Sequence, residues 1–396
     1  MTAGRNVLNP LTPAQILAES ERVAVELLAP TADETDRLRR FPHKALEELG
    51  KKQILALMVP SEFGGSSGSL LEMAAVLETL AQGCASTAMV VLMHYCATAL
   101  LATKASQELK ESVLPAIARG EHLSTLAFSE PESGGHFYAP VSRARQQNSS
   151  IELNTFKSFV TSAGEADSYI VSTLNQDAVG ARDLDLYFVP RSAAGVEPAG
   201  PFEGLGLAGN ASGPLNFKEV LIPLQNRLGE EKTGLGAMLE IVLPHFQVGS
   251  AAVSVGIAST ALQRTIDHVT ARKYQHSSQK ALALIPRVQF LVAEMTIELR
   301  SARAYLYETV RKAMAGEANA MLDILAVKAK AAEANLAVVS RAMTLGGGAA
   351  FGHRGGLERI FRDAQASAVM APMTDVLKDF IGKAALGLPL FGDVES

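Results

Sequence analysis

The chain has 396 residues, of which 48% are hydrophobic and 19% are charged, and its formal net charge is −5. This length allows two or three domains with a well-buried core. The weakly acidic charge, without a basic stripe, argues against nucleic acid as the main partner. Two cysteines without a CxxC spacing indicate neither a disulfide framework nor a metal site.

The sequence does not predict targeting to a membrane. The N-terminal residues lack the basic start and apolar run of a signal peptide. The longest apolar stretches, such as residues 87–101, contain polar side chains and are shorter than the roughly 20 residues that a membrane span requires. We therefore expect a soluble, cytoplasmic protein without a membrane partner.

The first third of the chain has a helical pattern, which then changes to a β pattern. Thr12 followed by Pro13 is typical of a helix start, because a threonine oxygen caps the first turn and proline fits the first helical position. Helical spacing of apolar residues continues to about residue 122. Short β-favouring runs then follow at residues 150–153, 169–171 and 186–189.

From residue 234 onward the pattern is helical again, with long amphipathic stretches predicted at residues 236–275, 287–315 and 319–346. Because helices and strands are segregated along the chain, the predicted fold class is α+β and not an alternating βαβ fold. We predict an N-terminal helical domain (1–123), a middle β domain (124–232) and a C-terminal helical domain (233–396).

Two glycine-containing runs mark the β domain. The run AFSEPESGGH at residues 127–136, taken alone, predicts a turn, because Glu-Pro favours extended backbone and Gly-Gly frees it. The run KSFVTSAGEAD at residues 157–167, taken alone, predicts a hairpin strand followed by a polar turn. Glycine also lets backbone N–H groups approach an anionic ligand, so a ligand-binding interpretation of the first run stays open.

Three further runs lie in the C-terminal helices. In ARKY at residues 271–274 the arginine suits phosphate, because its planar fork binds two oxygens at once. LGGG at residues 345–348 predicts a helix C-cap that needs a positive φ. In the run ERIFRDA we interpret the charged side chains as structural and not catalytic, forming either a solvated face or an interface network of salt bridges: Glu358, Arg359, Arg362 and Asp363.

In this order and spacing the runs resemble signatures of the acyl-CoA dehydrogenase superfamily of flavoproteins, over about residues 15–390. The resemblance implies a helical domain, a middle β domain and a four-helix C-terminal domain. It also implies FAD bound across a subunit interface of a homotetramer or homodimer, with the nucleotide half held by a neighbouring subunit. The implied cofactor residues are Phe128, Ser129, Gly134, Gly135, Phe159, Thr161, Arg272, Leu345, Gly346 and Gly347.

The sequence departs from the family pattern at the catalytic base. Many members carry a glutamate nine residues after Arg362, and Ala371 occupies that position here. Phe246 occupies the alternative base position on an earlier helix, while Pro244 and Gln247 replace an Asp and an Arg that contact CoA in well-known members. A proton acceptor for α,β-oxidation must therefore come from another residue.

Three side chains are candidates for that proton acceptor, each with a structural alternative. His245 lies beside the second base position, although a lone histidine on a helix is more often structural. Asp375 lies about one turn after Ala371, and the alternative role is an N-cap of the next helix. His94 lies on an early helix that can form a wall of the substrate pocket, and histidines near the flavin assist related monooxygenases.

Three functions are therefore open. The first is FAD-dependent α,β-oxidation of an acyl-CoA or related substrate with a non-standard base, with an electron-acceptor flavoprotein or O2 as oxidant. The second is a flavin-dependent monooxygenase of the same fold, which needs no carboxylate base and for which FMN is an alternative cofactor. The third is a flavin-binding, non-catalytic subunit.

Overall fold

The computed structural model describes residues 10–273 and 280–389. Its N-terminal part is helical, and the predicted cap is confirmed: Thr12 accepts from Gln15 N at 3.3 Å, while the Gln15 side chain accepts from Thr12 N at 2.9 Å. The helices of this part are α1 (Pro13–Val23), α2 (Ala29–Arg37), α3 (His43–Lys51), α4 (Leu70–Gly83), α5 (Ala85–Lys104) and α6 (Gln107–Ala118).

The middle part forms two sheets. Its strands are β1 (Ser124–Ala127), β2 (Arg145–Gln147), β3 (Ser150–Val160), β4 (Ser168–Leu174), β5 (Leu184–Pro190), β6 (Val196–Pro198) and β7 (Gly213–Pro223). One sheet has the strand order β1-β4-β5 and the other β2-β3-β7-β6; β1 and β4 are parallel, and the other pairs are antiparallel. All three predicted strands exist, and each is longer than its β-favouring run.

The C-terminal part is helical, with α8 and α10 in extensive contact. The α+β class with segregated helical and β parts is therefore confirmed. The helices are α7 (Gly234–Ala237), which continues through a π turn (Met238–Val242) into α8 (Leu243–Ala271), then α9 (Pro286–Met314), α10 (Ala320–Phe351), α11 (Leu357–Val369) and α12 (Thr374–Ala385).

Two helical runs reach the length and apolarity of a membrane span, which the short apolar stretches of the sequence did not predict. Ala85–Lys104 and Gly234–Ala271 are long and apolar enough to cross a membrane by length and composition alone. In both, 89% of the most apolar window is buried inside the protein, so they are core helices of this fold. One hydrophobic core joins them to the inward faces of both sheets.

The charged side chains of α11 contact both the N-terminal part and the middle part of the chain. Arg359 Nε donates to Asp33 of α2 at 2.8 Å, and Arg362 Nη2 donates to Asp36 at 2.6 Å. Asp363, which is buried, accepts from the backbone N–H of Leu207 at 2.6 Å. This confirms the predicted structural network.

Candidate flavin and substrate site

The two β-domain runs meet in space. The backbone N–H of Ser158 donates to the carbonyl oxygen of Ser129 at 2.9 Å, which joins the second run to the first. The β3–β7 register shifts between Lys157 and Val160, and such a bulge re-aims the side chains it carries. Phe159 lies in this bulge and is 71% exposed, so its ring is available to contact a flat ligand.

The polar groups around Phe159 differ in whether they already make hydrogen bonds within the protein. Ser129 is half-buried, and its hydroxyl donates to no other described residue. The Thr161 hydroxyl lies 3.0 Å from that of Ser212. Phe128 has a buried side chain, and its carbonyl oxygen accepts from Lys157 Nζ at 3.2 Å. Gly134 has φ +55° and open space around the position of a Cβ, which leaves backbone open to a cofactor.

Sequence reasoning missed the ion pair that supports these residues. Lys157 is 0% exposed and donates to Glu130 Oε1 at 2.7 Å, Ser172 O at 2.6 Å and Phe128 O at 3.2 Å. Glu130 also accepts from the backbone N–H groups of Val141 (2.7 Å) and Ser142 (3.0 Å). The pair therefore closes residues 130–142 into a loop and holds it against β3.

Burial sets the charges of this pair. It lowers the pKa of Lys157 to about 8, against the attraction of Glu130. Burial alone would raise the pKa of Glu130, but Lys157 and the Ser142 hydrogen bonds hold it below its ordinary value. Both residues lie within the two runs, and the inward periodicity of β3 was the available signal for a buried Lys157.

The C-terminal cofactor candidates form a second group, around the far ends of α8 and α10. Arg272 is exposed just after α8, and Leu345 packs against Val269 and Leu282. Gly347 has the predicted positive φ (52°), but its ψ of −140° differs from a left-handed cap, and helical turns resume to Phe351. Tyr274, from the ARKY run, lies outside the described residues.

A cleft of about 380 Å³ opens beside this second group. It is lined by Gly346 and by the charged face of α8, where Arg264 donates to Gly355 O at 2.8 Å. Glycine backbone beside the Arg264 guanidinium suits an anionic phosphate, and Asp267 adds a carboxylate to the same lining. The residues lining the cleft are Arg264, Asp267, His268, Gly346, Ala349, Ala350, Gly355 and Leu357.

The two groups lie at opposite ends of α8. Leu243, at its beginning, packs in a cluster with Leu325, Leu377 and Phe137, two residues after Gly135. At 1.5 Å per residue, Arg272 lies about 40 Å away along the helix axis. One extended FAD cannot reach both groups within one chain, so two copies must each supply one group if both hold the same cofactor.

The segment at Ala371 faces the first group. A Cβ at Gly135 would lie 3.3 Å from Met373 Cε, which places the first β-domain run against residues 371–373. Ala371 is half-buried, and Phe246 is a half-buried member of the core. The structure thus brings the Ala371 position to the glycines of the cofactor run, with no carboxylate at either base position.

His94 has a structural environment that gives no support to its candidacy. It is fully buried, its Nδ1 accepts from Ser124 N at 3.1 Å, and its Nε2 lies 3.2 Å from Leu55 O. Burial lowers its pKa to about 4, so the ring is neutral at pH 7. Both nitrogens are used in holding α5 to β1 and to the Leu55 turn.

The other two candidates are more accessible. His245 is half-buried, its Nδ1 donates to Ile241 O at 2.6 Å, and burial lowers its pKa, which leaves Nε2 as an unprotonated acceptor. Asp375 is exposed at the second position of α12. Its predicted N-cap role is wrong, because the cap residue is Met373 and no side chain caps this helix. Among the described residues, no group of three or more potential ligands is placed to hold a metal ion.

Comparison with known proteins assigns the chain to a class of flavin enzymes. Its residues match the family models of the acyl-CoA dehydrogenase N-terminal domain (13–121), middle domain (125–220) and C-terminal domain (232–386). The chain therefore belongs to the acyl-CoA dehydrogenase family, whose members are FAD-dependent oxidoreductases that act on CH–CH bonds. The open glycine backbone, the exposed Phe159 and the cleft beside Gly346 fit that cofactor.

Individual relatives are similar over nearly their whole length. A probable acyl-CoA dehydrogenase of Mycobacterium leprae is 28% identical over 372 residues, covering 94% of this chain and 95% of that protein. The butyryl-CoA dehydrogenase of Megasphaera elsdenii superposes with a TM-score of 0.89 at 23% identity, covering 98% and 100%. A prolyl acyl carrier protein oxidase, AnaB, superposes with a TM-score of 0.86 at 23% identity, covering 95% and 99%.

Proposed function

We propose that this protein oxidises the α,β carbon–carbon bond of an acyl thioester, with an acyl-CoA as the first substrate class. The observation that carries the proposal is the Ser158–Ser129 hydrogen bond, which joins the two flavin signatures beside the exposed ring of Phe159. When bound, FAD supplies the hydride acceptor for such a reaction. The α-carbon loses a proton, the β-carbon loses a hydride, and a C=C bond forms.

Two copies of the chain would share each cofactor. In this arrangement Phe159, Ser129 and Thr161 hold the flavin ring in one subunit. Arg272 and residues 345–347 of a second copy hold the nucleotide half, since the length of α8 separates the two groups within one chain. A homodimer is the smallest assembly that satisfies this requirement, and a pair of such dimers gives the homotetramer.

We propose His245 as the proton acceptor. Its Nδ1–H donates to Ile241 O at 2.6 Å, which fixes the ring and leaves the lone pair of Nε2 without a hydrogen-bond donor among the described residues. His94 has both ring nitrogens in use, and Asp375 is exposed on α12. A neutral imidazole, kept unprotonated by burial, suits a general base at neutral pH.

The group that carries the thioester is open between CoA and a carrier protein. Gln247, at a CoA-contacting position of the family pattern, is fully buried, and neither atom of its amide has a partner among the described residues. This is a different chemical setting from a CoA-binding arginine. The similar AnaB fold belongs to an oxidase of a prolyl acyl carrier protein, so both carriers belong in the test.

A second candidate function is a flavin-dependent monooxygenase, with FMN as an alternative to FAD. The observation that favours it is the pair Ala371 and Phe246, which leaves both usual base positions without an acid. In a monooxygenase the oxidant is O2, whereas in a dehydrogenase the reduced flavin transfers its electrons to an acceptor flavoprotein or to O2. A flavin-binding, non-catalytic subunit remains the third outcome.

An anaerobic titration separates these functions. The purified protein is reconstituted with FAD and mixed without oxygen with butyryl-CoA, octanoyl-CoA and a butyryl-loaded acyl carrier protein, while the visible flavin band is followed. Loss of the band with formation of the enoyl thioester supports the proposal and identifies the carrier. If the flavin absorbance is unchanged by all three thioesters, and the chemically reduced flavin forms an O2-dependent product, the result supports monooxygenation. A protein that binds neither FAD nor FMN contradicts all three.

A further inference from the structure

A buried lysine lies directly behind the segment that contains Ala371. Lys328 of α10 is 1% exposed, and its Nζ donates to the carbonyl oxygens of Met370 at 2.9 Å and Pro372 at 2.7 Å. These two carbonyls flank Ala371 on both sides. One amine therefore determines where this short connection between α11 and α12 lies relative to α10.

Lys328 differs from the other fully buried lysine in what it contacts. Lys157 has Glu130 as a counter-ion, whereas no carboxylate of residues 10–273 and 280–389 lies within ion-pair distance of Lys328. Burial lowers the pKa of Lys328 to about 7. Burying an ammonium without a counter-ion is unfavourable, and the two hydrogen bonds to carbonyl oxygens offset part of this cost. What the amine adds is the fixed position of two carbonyls.

The same segment also contacts the cofactor run. Ala371 is half-buried and Met373 is 40% exposed, while Met373 Cε lies next to Gly135. The Lys328 amine is enclosed, and its hydrogen bonds among the described residues go to the backbone carbonyls of Met370 and Pro372. Because these contacts occupy the amine, its role in the segment is to hold the backbone and not to accept a proton.

We infer that Lys328 is a positioning residue that fixes residues 370–372, so that Ala371 and Met373 form a wall of the substrate pocket opposite Gly135. The identity of the pocket rests on the proposed function, but the contact of Lys328 with the two carbonyls does not. The position of this wall determines the width of the pocket around the reacting end of the acyl chain. Loss of the hydrogen bonds to the two carbonyls lets the wall move, although no group that contacts the substrate has been removed.

The first test measures the segment itself and needs no activity. Hydrogen exchange of peptides covering residues 369–376 is compared in the wild type, K328M and K330M. Lys330 is the matched control, because it lies on the same helix but pairs with Glu298 at 2.9 Å at the surface. We expect at least tenfold faster exchange of these peptides in K328M alone, without the same acceleration in the rest of the protein. Equal exchange in K328M and the wild type overturns the inference.

The second test separates a pocket wall from a merely structural contact. Each variant, loaded with FAD, is titrated anaerobically with butyryl-CoA. K328M should bind at least fivefold more weakly, with unchanged flavin content, and K328R, which keeps donors, should recover part of the loss. A looser segment with unchanged butyryl-CoA binding would make Lys328 merely structural and overturn the pocket assignment. If butyryl-CoA, octanoyl-CoA and the butyryl-loaded acyl carrier protein all fail to reduce the wild-type flavin while the exchange difference persists, the proposed function is contradicted and the positioning contact stays established.

Discussion

The cofactor side and the substrate side of this protein differ in how their buried charges are satisfied. On the cofactor side, Lys157 and Glu130 neutralise each other and hold the loop of residues 130–142, which follows Ser129 and carries Gly134. On the substrate side, Lys328 holds two backbone carbonyls, and the neighbouring position 371 carries a methyl group. We propose from this comparison that the protein keeps the flavin-binding framework of its family, while its proton acceptor lies outside the two usual base positions, which Ala371 and Phe246 occupy.

The largest expected effect comes from breaking the ion pair on the cofactor side. K157M leaves the Glu130 carboxylate buried without its counter-ion, which costs about 3–5 kcal/mol in comparable buried pairs. We expect the free energy of unfolding in urea to fall by this amount and FAD to be lost on gel filtration. The control is K218M, which removes an exposed lysine 3.6 Å from Glu197. A loss below 1 kcal/mol with FAD retained would mean that the pair does not support the cofactor loop.

The next effect tests whether His94 belongs to the core and not to either site. Its pKa is about 4 when folded and about 6.5 when unfolded, so on acidification the unfolded chain takes up the proton first. Its contribution to stability is therefore complete above pH 6.5 and is lost as the pH falls toward 4, by about 3 kcal/mol.

Urea unfolding at several pH values measures this contribution. H94Q removes the titrating group, so the free energy of unfolding should fall less steeply between pH 6.5 and 4 than in the wild type. The rate of flavin reduction by butyryl-CoA should stay within twofold at pH 7.5. Identical slopes in the two proteins, or a rate lowered a hundredfold with the flavin retained, would contradict the structural assignment.

The smallest effect concerns the exposed ring on the cofactor side. F159A removes an aromatic face that is 71% exposed, so stability should change by less than about 0.5 kcal/mol. Loss of a stacking contact of about 1–1.5 kcal/mol corresponds to roughly tenfold weaker FAD binding. Fluorescence titration of the apoprotein with FAD measures this, with F156A on the same strand as control. Equal affinities in F159A and F156A would remove Phe159 from the cofactor site.

The sequence predicts the fold better than the site, for identifiable reasons. Helices and strands can be predicted because they depend on the local periodicity of apolar residues. The Thr12 cap is likewise a local pattern, and the α11 salt bridges can be anticipated from side chains of opposite charge. Contacts such as Ser158 with Ser129, or Lys328 with residues 370 and 372, join distant segments and leave no local signal. The position of Lys328 on the apolar face of α10, with Leu325 and Ala332, was the one detectable sign.

The conformation of short connections was also beyond sequence reasoning. LGGG predicts a helix end, but Gly347 adopts ψ −140° and the helical turns continue to Phe351. Asp375 matches the composition of an N-cap, yet the helix begins at Thr374, so Met373, two residues before Asp375, takes the cap position. In both cases the boundary shifts by a few residues, which is enough to change the role of a side chain.

The most direct test of the central claim is the rate of anaerobic flavin reduction by butyryl-CoA in the wild type, H245Q and the double variant H245Q/A371E, each loaded with FAD to the same extent. If the proton acceptor lies at His245, H245Q should reduce flavin at least a hundredfold more slowly, as loss of a general base implies. A carboxylate placed at position 371 should then restore at least tenfold of that rate. Flavin reduction in H245Q at the wild-type rate would contradict the account.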